Sequence, residues 1–240
     1  MKKLSGDLVS IIIPSHNESS YLLKTLQRVK DLVESNYECI VVVESNLDNS
    51  IEFFDKFSEF NSEFRLVINK MNPGPSGAIK TGIRESIGTI VVVLTADGSD
   101  DVSQIDTLVY LVERGVSLAA ASRYMSGGQL VGSPLVKGLL SRIAGLSLFY
   151  LVRIGTRDAT NNFRAYSRSF LESINIQSRF GFELGLELAT KARLLNLKIA
   201  EIPTIWIERS TGESNFKVLK SIPRYLKWYF IALFRLKKIL

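Results

Sequence analysis

The chain has 240 residues, 46% of them hydrophobic and 22% charged, which excludes a disordered protein and leaves room for one large α/β domain or a domain plus an appendage. Its net charge of +6 is uneven: residues 217–240 carry seven Lys or Arg and no acid, which points to an anionic partner near that end. The single cysteine, Cys39, excludes an internal disulfide and a cysteine-rich metal site, and with no RNA- or DNA-binding motif beside the basic end, lipid is favoured over nucleic acid.

The opening MKKLSGD is followed by no apolar stretch long enough for a signal peptide, and no run approaches the roughly 18 apolar residues of a membrane span. The expectation is a cytoplasmic protein, peripheral at the inner face of the plasma membrane through its C-terminal end.

Leu8–Ile13 is an apolar run closed by Pro14 and reads as the first strand, since proline cannot continue a central strand. Ser15–Ser20 supplies helix-capping residue types, and Leu22, Leu23, Leu26, Val29, Leu32 and Val33 then recur at helical spacing. Tyr37–Val43 is a second strand, ending in the polar cluster ESNLDNS. A short helix over 51–60 and a third strand over 64–68 follow. NPGPSGAIKTG, residues 72–82, is a loop punctuated by Gly and Pro that runs into a helix to about Ser86. Thr89–Leu94 is so densely aliphatic that it reads as a strand buried on both faces, and it stops at a turn with three carboxylates, Asp97, Asp100 and Asp101. A helix over 102–113 and a strand over 116–121 complete an alternation with short connections, which predicts βαβ units and a mainly parallel sheet.

Beyond Ser122 the alternation weakens. Residues 123–132 read as a loop with a Gly-Gly pair, and 135–154 as an apolar helix lying against the sheet or a membrane, interrupted by Lys137 and Arg142. Residues 157–168 are polar and then alternate, 182–195 form a helix, and 198–207 alternate like a strand broken at Pro203. After a loop over 208–214, residues 216–240 read as a basic amphipathic helical tail broken at Pro223. Two units are expected, a domain over 1–214 and a tail over 215–240. In the tail Tyr225, Trp228, Tyr229, Phe230 and Phe234 interleave with cations, as in a helix lying in a membrane interface.

Three polar clusters, Pro14–Glu18, Glu44–Asp48 and Asp97–Asp101, fall at the carboxyl ends of three strands, where open α/β sheets bind ligands. Carboxylates and hydroxyls there suit a hard divalent cation, which usually accompanies phosphate. A turn that merely caps the next helix at Asp100–Val102 is the plainer alternative. No glycine fingerprint follows the first strand, so a dinucleotide site is excluded, and GPSGAIKT lacks the spacing of a phosphate loop. What remains is a nucleotide site built from carboxylates and loops.

VSIIIPSHNE, IVVVESNLDNS, NPGPSGAIKTGI, the acidic turn after IVVVLTAD, and ASRYMSGG, in this order and spacing, resemble the family 2 glycosyltransferases. DATNNFRAYSR, KIAEIPTIWIERSTGES and the following Phe216–Lys217 are similar to the branch of dolichol- and polyprenyl-phosphate sugar synthases. The resemblance implies a GT-A fold, an α/β domain with a mainly parallel central sheet flanked by helices. It also implies transfer of a sugar from a nucleoside diphosphate, with inversion. Residues matching Pro14, Asn17, Glu18 and Glu44 would line base and ribose, with Asp48 the second acid of that loop. Asp97 matches a carboxylate of the acidic turn and would serve catalysis and hold Mg2+ or Mn2+ on the donor diphosphate. Thr95 stands where the family has another aspartate, with Ser99 at the third position and Asp100 and Asp101 as nearby substitutes.

Arg209, Gly212 and Ser214 match the family's arginine–glycine–serine loop over the diphosphate, where a planar guanidinium fork suits phosphate oxygens. Lys80 is a further expected phosphate contact. Asp158 is the expected general base or orienting charge, and Arg123 and Arg164 are the expected acceptor-binding residues. Glu183 and Glu187, four apart on one helix, read first as a solvated face, with one of them a base if the acceptor is a hydroxyl, and His16 reads as a lining residue. The expected reaction is sugar transfer to polyprenyl phosphate or to a lipid-linked or cell-envelope glycan. Transfer to a sugar hydroxyl of a growing polysaccharide and a catalytically inactive nucleotide-sugar-binding module are the alternatives, and nucleic acid is not an expected partner.

Overall fold

The computed structural model describes residues 6–59, 61–208 and 218–235, with backbone alone for 218–220. Its first half alternates as the sequence predicts: β1 (Val9–Pro14), α1 (Ser19–Leu32), β2 (Tyr37–Val43), α2 (Ser50–Ser58), β3 (Phe64–Ile68), α3 (Pro75–Glu85) and β4 (Ile90–Val93). A 3-10 turn at Val102–Gln104 leads into α4 (Ile105–Glu113), β5 (Leu118–Ser122), β6 (Gln129–Val131) and α5 (Leu135–Val152). β7 (Arg164–Ser167), α6 (Arg168–Glu172), α7 (Leu184–Leu194), β8 (Ile199–Pro203), β9 (Ile205–Ile207) and α8 (Val218–Phe234) follow.

One seven-stranded sheet runs in the order β3-β2-β1-β4-β7-β5-β8. All its pairings are parallel except those of β7, which is antiparallel to β4 and to β5. Both faces are covered, and the period of two sorts each strand between two cores. Ile11, Ile13, Val41, Val43, Val92 and Leu94 pack with Leu22 and Leu26 of α1 and with Ile105 and Leu108 of α4. Ile12, Ile40, Val42, Val91 and Val93 pack on the other face with Ala78 and Ile79 of α3 and with Leu184 and Leu188 of α7. Gly82 lets α3 lie close on this face, since a Cβ there would stand 2.4 Å from Ile12 Cγ2. Cys39 is buried core.

Several local readings change. Pro14 stays within β1, paired with Val42, but lies past Ile12, the last residue of β1 in register with β4, so no ladder bond to β4 is lost. The stretch around Pro203 resolves into two strands of different sheets. β9 pairs in parallel with β6, inside what reads from sequence as a loop. α8 runs through Pro223, which removes one bond from the helix ladder without ending the helix. Set apart in the sequence reading as part of a tail, α8 buries Trp228, Ile231 and Ala232 in the same core as α7.

The pair Glu183 and Glu187 is interior, not a solvated face. Glu187 is fully buried, lies 2.8 Å from the equally buried Lys191 Nζ, and accepts the backbone N–H groups of Gln177 and Ser178 at 2.6 Å each. Lys191 also sits 5.3 Å from the Trp228 ring, so one ion pair ties α7, the 175–178 segment and α8 together. Lys191→Met strands a buried carboxylate, and urea unfolding is expected to show a loss of about 3–5 kcal/mol. A loss below about 1 kcal/mol, the scale of a surface ion pair, would contradict that reading.

α5 is 18 residues long with mean hydropathy 1.6, so by length and composition it could cross a membrane despite Lys137 and Arg142. It nevertheless packs on the domain: Leu148 and Val152 are buried, and the Ser147 and Tyr229 hydroxyls lie 3.0 Å apart. Its other face is open, with Leu135, Val136, Leu139, Ile143 and Leu151 exposed.

Candidate active site

The loops after β1, β2 and β4 meet at the carboxyl edge of the sheet. Asn17 takes a left-handed backbone (φ 57°), and its N–H donates to both Asp48 carboxylate oxygens at 3.2 and 3.1 Å. Asp48 also accepts the Ser50 N–H at 2.9 Å and approaches His16 Nδ1 at 3.9 Å. Asp48 is buried, so its carboxylate clamps the β1 loop to the β2 loop and acts on any ligand through Asn17 and Glu18. Glu18 occupies the N-cap position of α1 without a side-chain cap bond, and its N–H donates to Ser50 Oγ at 3.1 Å. Glu44 gathers the 69–74 loop, accepting Asn69 Nδ2 at 3.2 and 3.3 Å and the Gly74 N–H at 3.1 Å.

The acidic turn divides its labour. Asp101 is the helix cap, accepting the Ser103 N–H at 3.2 Å. Asp97 is half-buried and accepts the Ser99 N–H at 3.1 Å. Thr95 donates its N–H (2.9 Å) and its hydroxyl (2.7 Å) to Asp100 Oδ2. Asp100 Oδ1 and Ser99 Oγ are buried with no hydrogen-bond partner among the described residues. The turn is fixed from two sides, by Thr25 Oγ1 donating to the Ala96 carbonyl (3.0 Å) and the Ile207 N–H donating to the Ser99 carbonyl (3.2 Å).

Burial pushes the Asp100 carboxyl up to about 6 despite its two bonds from Thr95, with the charge of Asp97 adding to the rise and Arg123 opposing it. A carboxyl raised in the folded state favours its protonated form there. Its stabilising effect is therefore complete below the unfolded value of about 3.9 and is lost as pH rises through about 6. Asp100→Asn removes this titration. Melting curves are expected to converge near pH 4 and to diverge in the variant's favour until the difference levels above pH 6. Parallel curves over that range would contradict the burial argument.

Arg123 and Asp158 form one unit. The guanidinium donates Nε to Asp158 Oδ2 at 2.6 Å and Nη2 to Oδ1 at 2.9 Å, and the Arg123 N–H adds a third bond at 3.0 Å. Asp158 is fully buried; burial alone would raise its carboxyl, but the charge and hydrogen bonds of Arg123 outweigh it and hold it below the usual range. Tyr124 and Trp206 flank the guanidinium, their rings 5.2 and 5.9 Å away. Arg164 is also fully buried, donating to the Gly185 carbonyl (2.5 Å) and the Asp158 carbonyl (2.9 Å). Both expected acceptor arginines are thus committed to the protein interior. Lys80 is taken up by the 175–183 segment, its Nζ donating to the Ser178 carbonyl at 2.8 Å. Arg209 and Ser214 lie outside the described residues.

Sequence reasoning missed Trp206 and the Thr95–Asp100 bond. An aromatic residue in an alternating strand was the only signal for the first. Among the described residues no three His, Cys, Asp or Glu side chains gather to hold a metal. The donor set is nonetheless all hard oxygen: Asp97, with the unpartnered oxygens of Asp100 and Ser99 in the same turn. That suits Mg2+, which keeps water and substrate phosphates and takes one or two carboxylates from the protein.

An α/β sheet with helices on both faces and a polar loop cluster at its carboxyl edge is the GT-A arrangement. Accordingly, this chain belongs to glycosyl transferase family 2, whose model matches residues 10–174. It is 27% identical over 232 residues to the dolichol-phosphate mannosyltransferase of Pyrococcus furiosus, covering 92% of this chain but only 64% of that protein's length. It is 29% identical over 213 residues to the undecaprenyl-phosphate mannosyltransferase of Micrococcus luteus, covering 86% of each. The fold matches that of the glucosyl-3-phosphoglycerate synthase of Mycobacterium tuberculosis, solved with Mn2+, UDP and glucosyl-3-phosphoglycerate. The TM-score is 0.68 at 18% identity, covering 95% of this chain and 80% of that one.

Proposed function

We propose that the protein transfers a sugar from a nucleoside-diphosphate donor to polyprenyl phosphate at a membrane surface, inverting the anomeric centre. The observation that carries this reading is the convergence of the β1, β2 and β4 loops on one sheet edge, in a chain related to polyprenyl-phosphate and dolichol-phosphate mannosyltransferases. Asn17, Glu18 and Glu44 present acceptors and backbone groups for base and ribose, with Asp48 holding their loops. The donor diphosphate lies at Asp97. Asp97, Asp100 and Ser99 are the residues that would hold a divalent ion, which neutralises charge on the leaving diphosphate when bound.

A phosphate acceptor is already ionised near neutral pH and needs no general base. That agrees with Asp158, a carboxylate held below its usual range and consumed by Arg123, which makes it a weak base and a good orienting anchor. The membrane reading rests on the open apolar face of α5 with Arg142 beside it, and on Leu226, Phe230 and Phe234 exposed along α8. Such a mixed apolar and basic face suits the headgroup region of an anionic leaflet, in keeping with a cytoplasmic enzyme peripheral to the plasma membrane. A sugar-hydroxyl acceptor is the second reading. It is favoured by Glu183, whose buried Oε2 has no hydrogen-bond partner among the described residues and would serve as a base.

The donor half is tested by a thermal-shift screen of nucleoside diphosphates and their sugars, with and without Mg2+ or Mn2+. A ligand that binds only the folded form raises the melting temperature as it saturates. One nucleoside diphosphate is expected to do so, more strongly with the ion. No shift with any nucleotide would remove the donor reading, and retained anomeric configuration in the product, read by NMR, would remove inversion.

A further inference from the structure

A cleft of about 560 Å3 opens between α3, the 175–183 segment and α8, within the range of small-ligand pockets. Lys80, Arg179, Arg224 and Lys227 line it, and Glu183 is the one carboxylate beside them. None of the four cations makes an ion pair among the described residues. Lys80 donates to the Ser178 carbonyl (2.8 Å) and Lys227 to Gln177 Oε1 (3.4 Å), while Arg224 lies 5.0 Å from the Phe180 ring. Cations held against amides and aromatic faces keep their charge for a ligand. Two more groups in the wall are left open. Ser178 Oγ and Glu183 Oε2 belong to residues only 4% and 3% exposed, and neither atom has a hydrogen-bond partner among the described residues. A buried polar atom costs free energy until it is bonded. A hydroxyl can donate to a phosphate oxygen, whereas a carboxylate oxygen only accepts and so calls for a donor on the ligand. This set of groups suits a phosphate that carries hydroxyls of its own.

The border of the cleft selects the lipid form of that phosphate. Leu226, Phe230 and Phe234 are exposed by 44%, 46% and 64% and are spaced four apart along α8, so they form one stripe. Arg224 and Lys227 stand on α8 between that apolar stripe and the buried Trp228. α5, tied to α8 through the Ser147 and Tyr229 hydroxyls, adds its own open apolar face. A soluble phosphate leaves such a stripe in water, whereas a phospholipid covers the stripe with its acyl chains while its headgroup fills the cleft.

We propose that this cleft holds the headgroup of an anionic phospholipid of the phosphatidylglycerol kind, with the acyl chains following the α8 stripe. The lipid is an anchor, neither donor nor acceptor of the sugar. The proposal rests on the membrane reading above and gives it a place and a lipid class. Co-sedimentation with vesicles tests it, using phosphatidylcholine alone and phosphatidylcholine with about 30% phosphatidylglycerol. Three variants are compared with the wild type: Arg224→Ala/Lys227→Ala, the charge-keeping Arg224→Lys/Lys227→Arg, and Lys24→Ala/Lys30→Ala. The last removes the same charge from exposed positions of α1, which covers the opposite face of the sheet. Melting temperature checks folding, and sugar transfer in detergent, where no vesicle is present, checks the reaction. The wild type is expected to bind the anionic vesicles at least about tenfold more tightly than the neutral ones. Arg224→Ala/Lys227→Ala should lose most of that preference with melting and transfer unchanged, while the other two variants keep it. Equal losses in the two alanine variants would mean a diffuse field and no site, and no loss in either would overturn the cleft. Loss of transfer in detergent would give the cleft to a substrate instead. Glycerol 1-phosphate that raises the wild-type melting temperature, with no vesicle preference to match, would make it the site of a soluble anion. A wild-type protein that binds neither kind of vesicle would remove the membrane reading itself.

Discussion

Asp97→Ala is expected to lower kcat/KM for sugar transfer by about 10²–10³-fold, the scale of removing one group that meets developing charge. The residue is singled out by what its neighbours do. Asp101 caps the helix that follows, and Asp100 is bound through one oxygen to Thr95. Asp97 is half-buried, with its Oδ1 taken by one backbone N–H. Asp97→Asn keeps that hydrogen bond and the shape but removes the charge, so it should fall nearly as far, while Asp101→Asn should cost mainly stability. The assay is initial rate against donor concentration with Mg2+ or Mn2+ present. Full activity in Asp97→Asn would mean that charge is neutralised elsewhere, and tight donor binding without turnover in the wild type would make the chain a binding module.

Asp158→Asn is expected to destabilise the fold by about 3–5 kcal/mol, because it leaves the Arg123 guanidinium buried without its counter-charge. The doubly substituted Arg123→Met/Asp158→Leu should recover part of that loss, since a buried pair is often replaceable by apolar groups whereas half a pair is not. The pair also fixes an acid limit. The Asp158 carboxyl is lowered in the folded state, so its contribution is present above the unfolded value of about 3.9 and disappears as pH falls below it. The wild type should therefore lose stability below about pH 4 more steeply than the double variant. This lies on the acid side of the Asp100 window, so the two titrations separate along one pH axis. Equal stability of wild type and Asp158→Asn in urea would contradict the account of this pair.

The parts of the fold that were legible in sequence are those encoded by neighbours. β1, β2 and β4 are continuous Val and Ile runs buried on both faces, and each ends at a polar cluster. β7 and β6 were not legible, because RAYS and QLV are too short to carry a pattern and become strands only through partners far along the chain. The interior placement of Glu187 and Lys191 was hidden for a related reason. Charges four apart on a helix look the same in sequence whether they face water or the Trp228 of another helix. At the site, the missing carboxylate at Thr95 could be read directly. That Asp100 turns back to bind it depends on the geometry of the intervening Gly98 (φ +75°), and that Arg123 is spent on Asp158 depends on a contact across 35 positions.

The measurement that decides most is made on the purified protein with undecaprenyl phosphate in detergent, Mg2+ and each common nucleotide sugar, the lipid product being read by mass spectrometry. The account predicts a prenyl phosphate heavier by one sugar, formed with release of one nucleoside diphosphate and absent in Asp97→Ala. Sugar appearing only on a glycan acceptor, with the lipid phosphate unchanged for every donor, would contradict it.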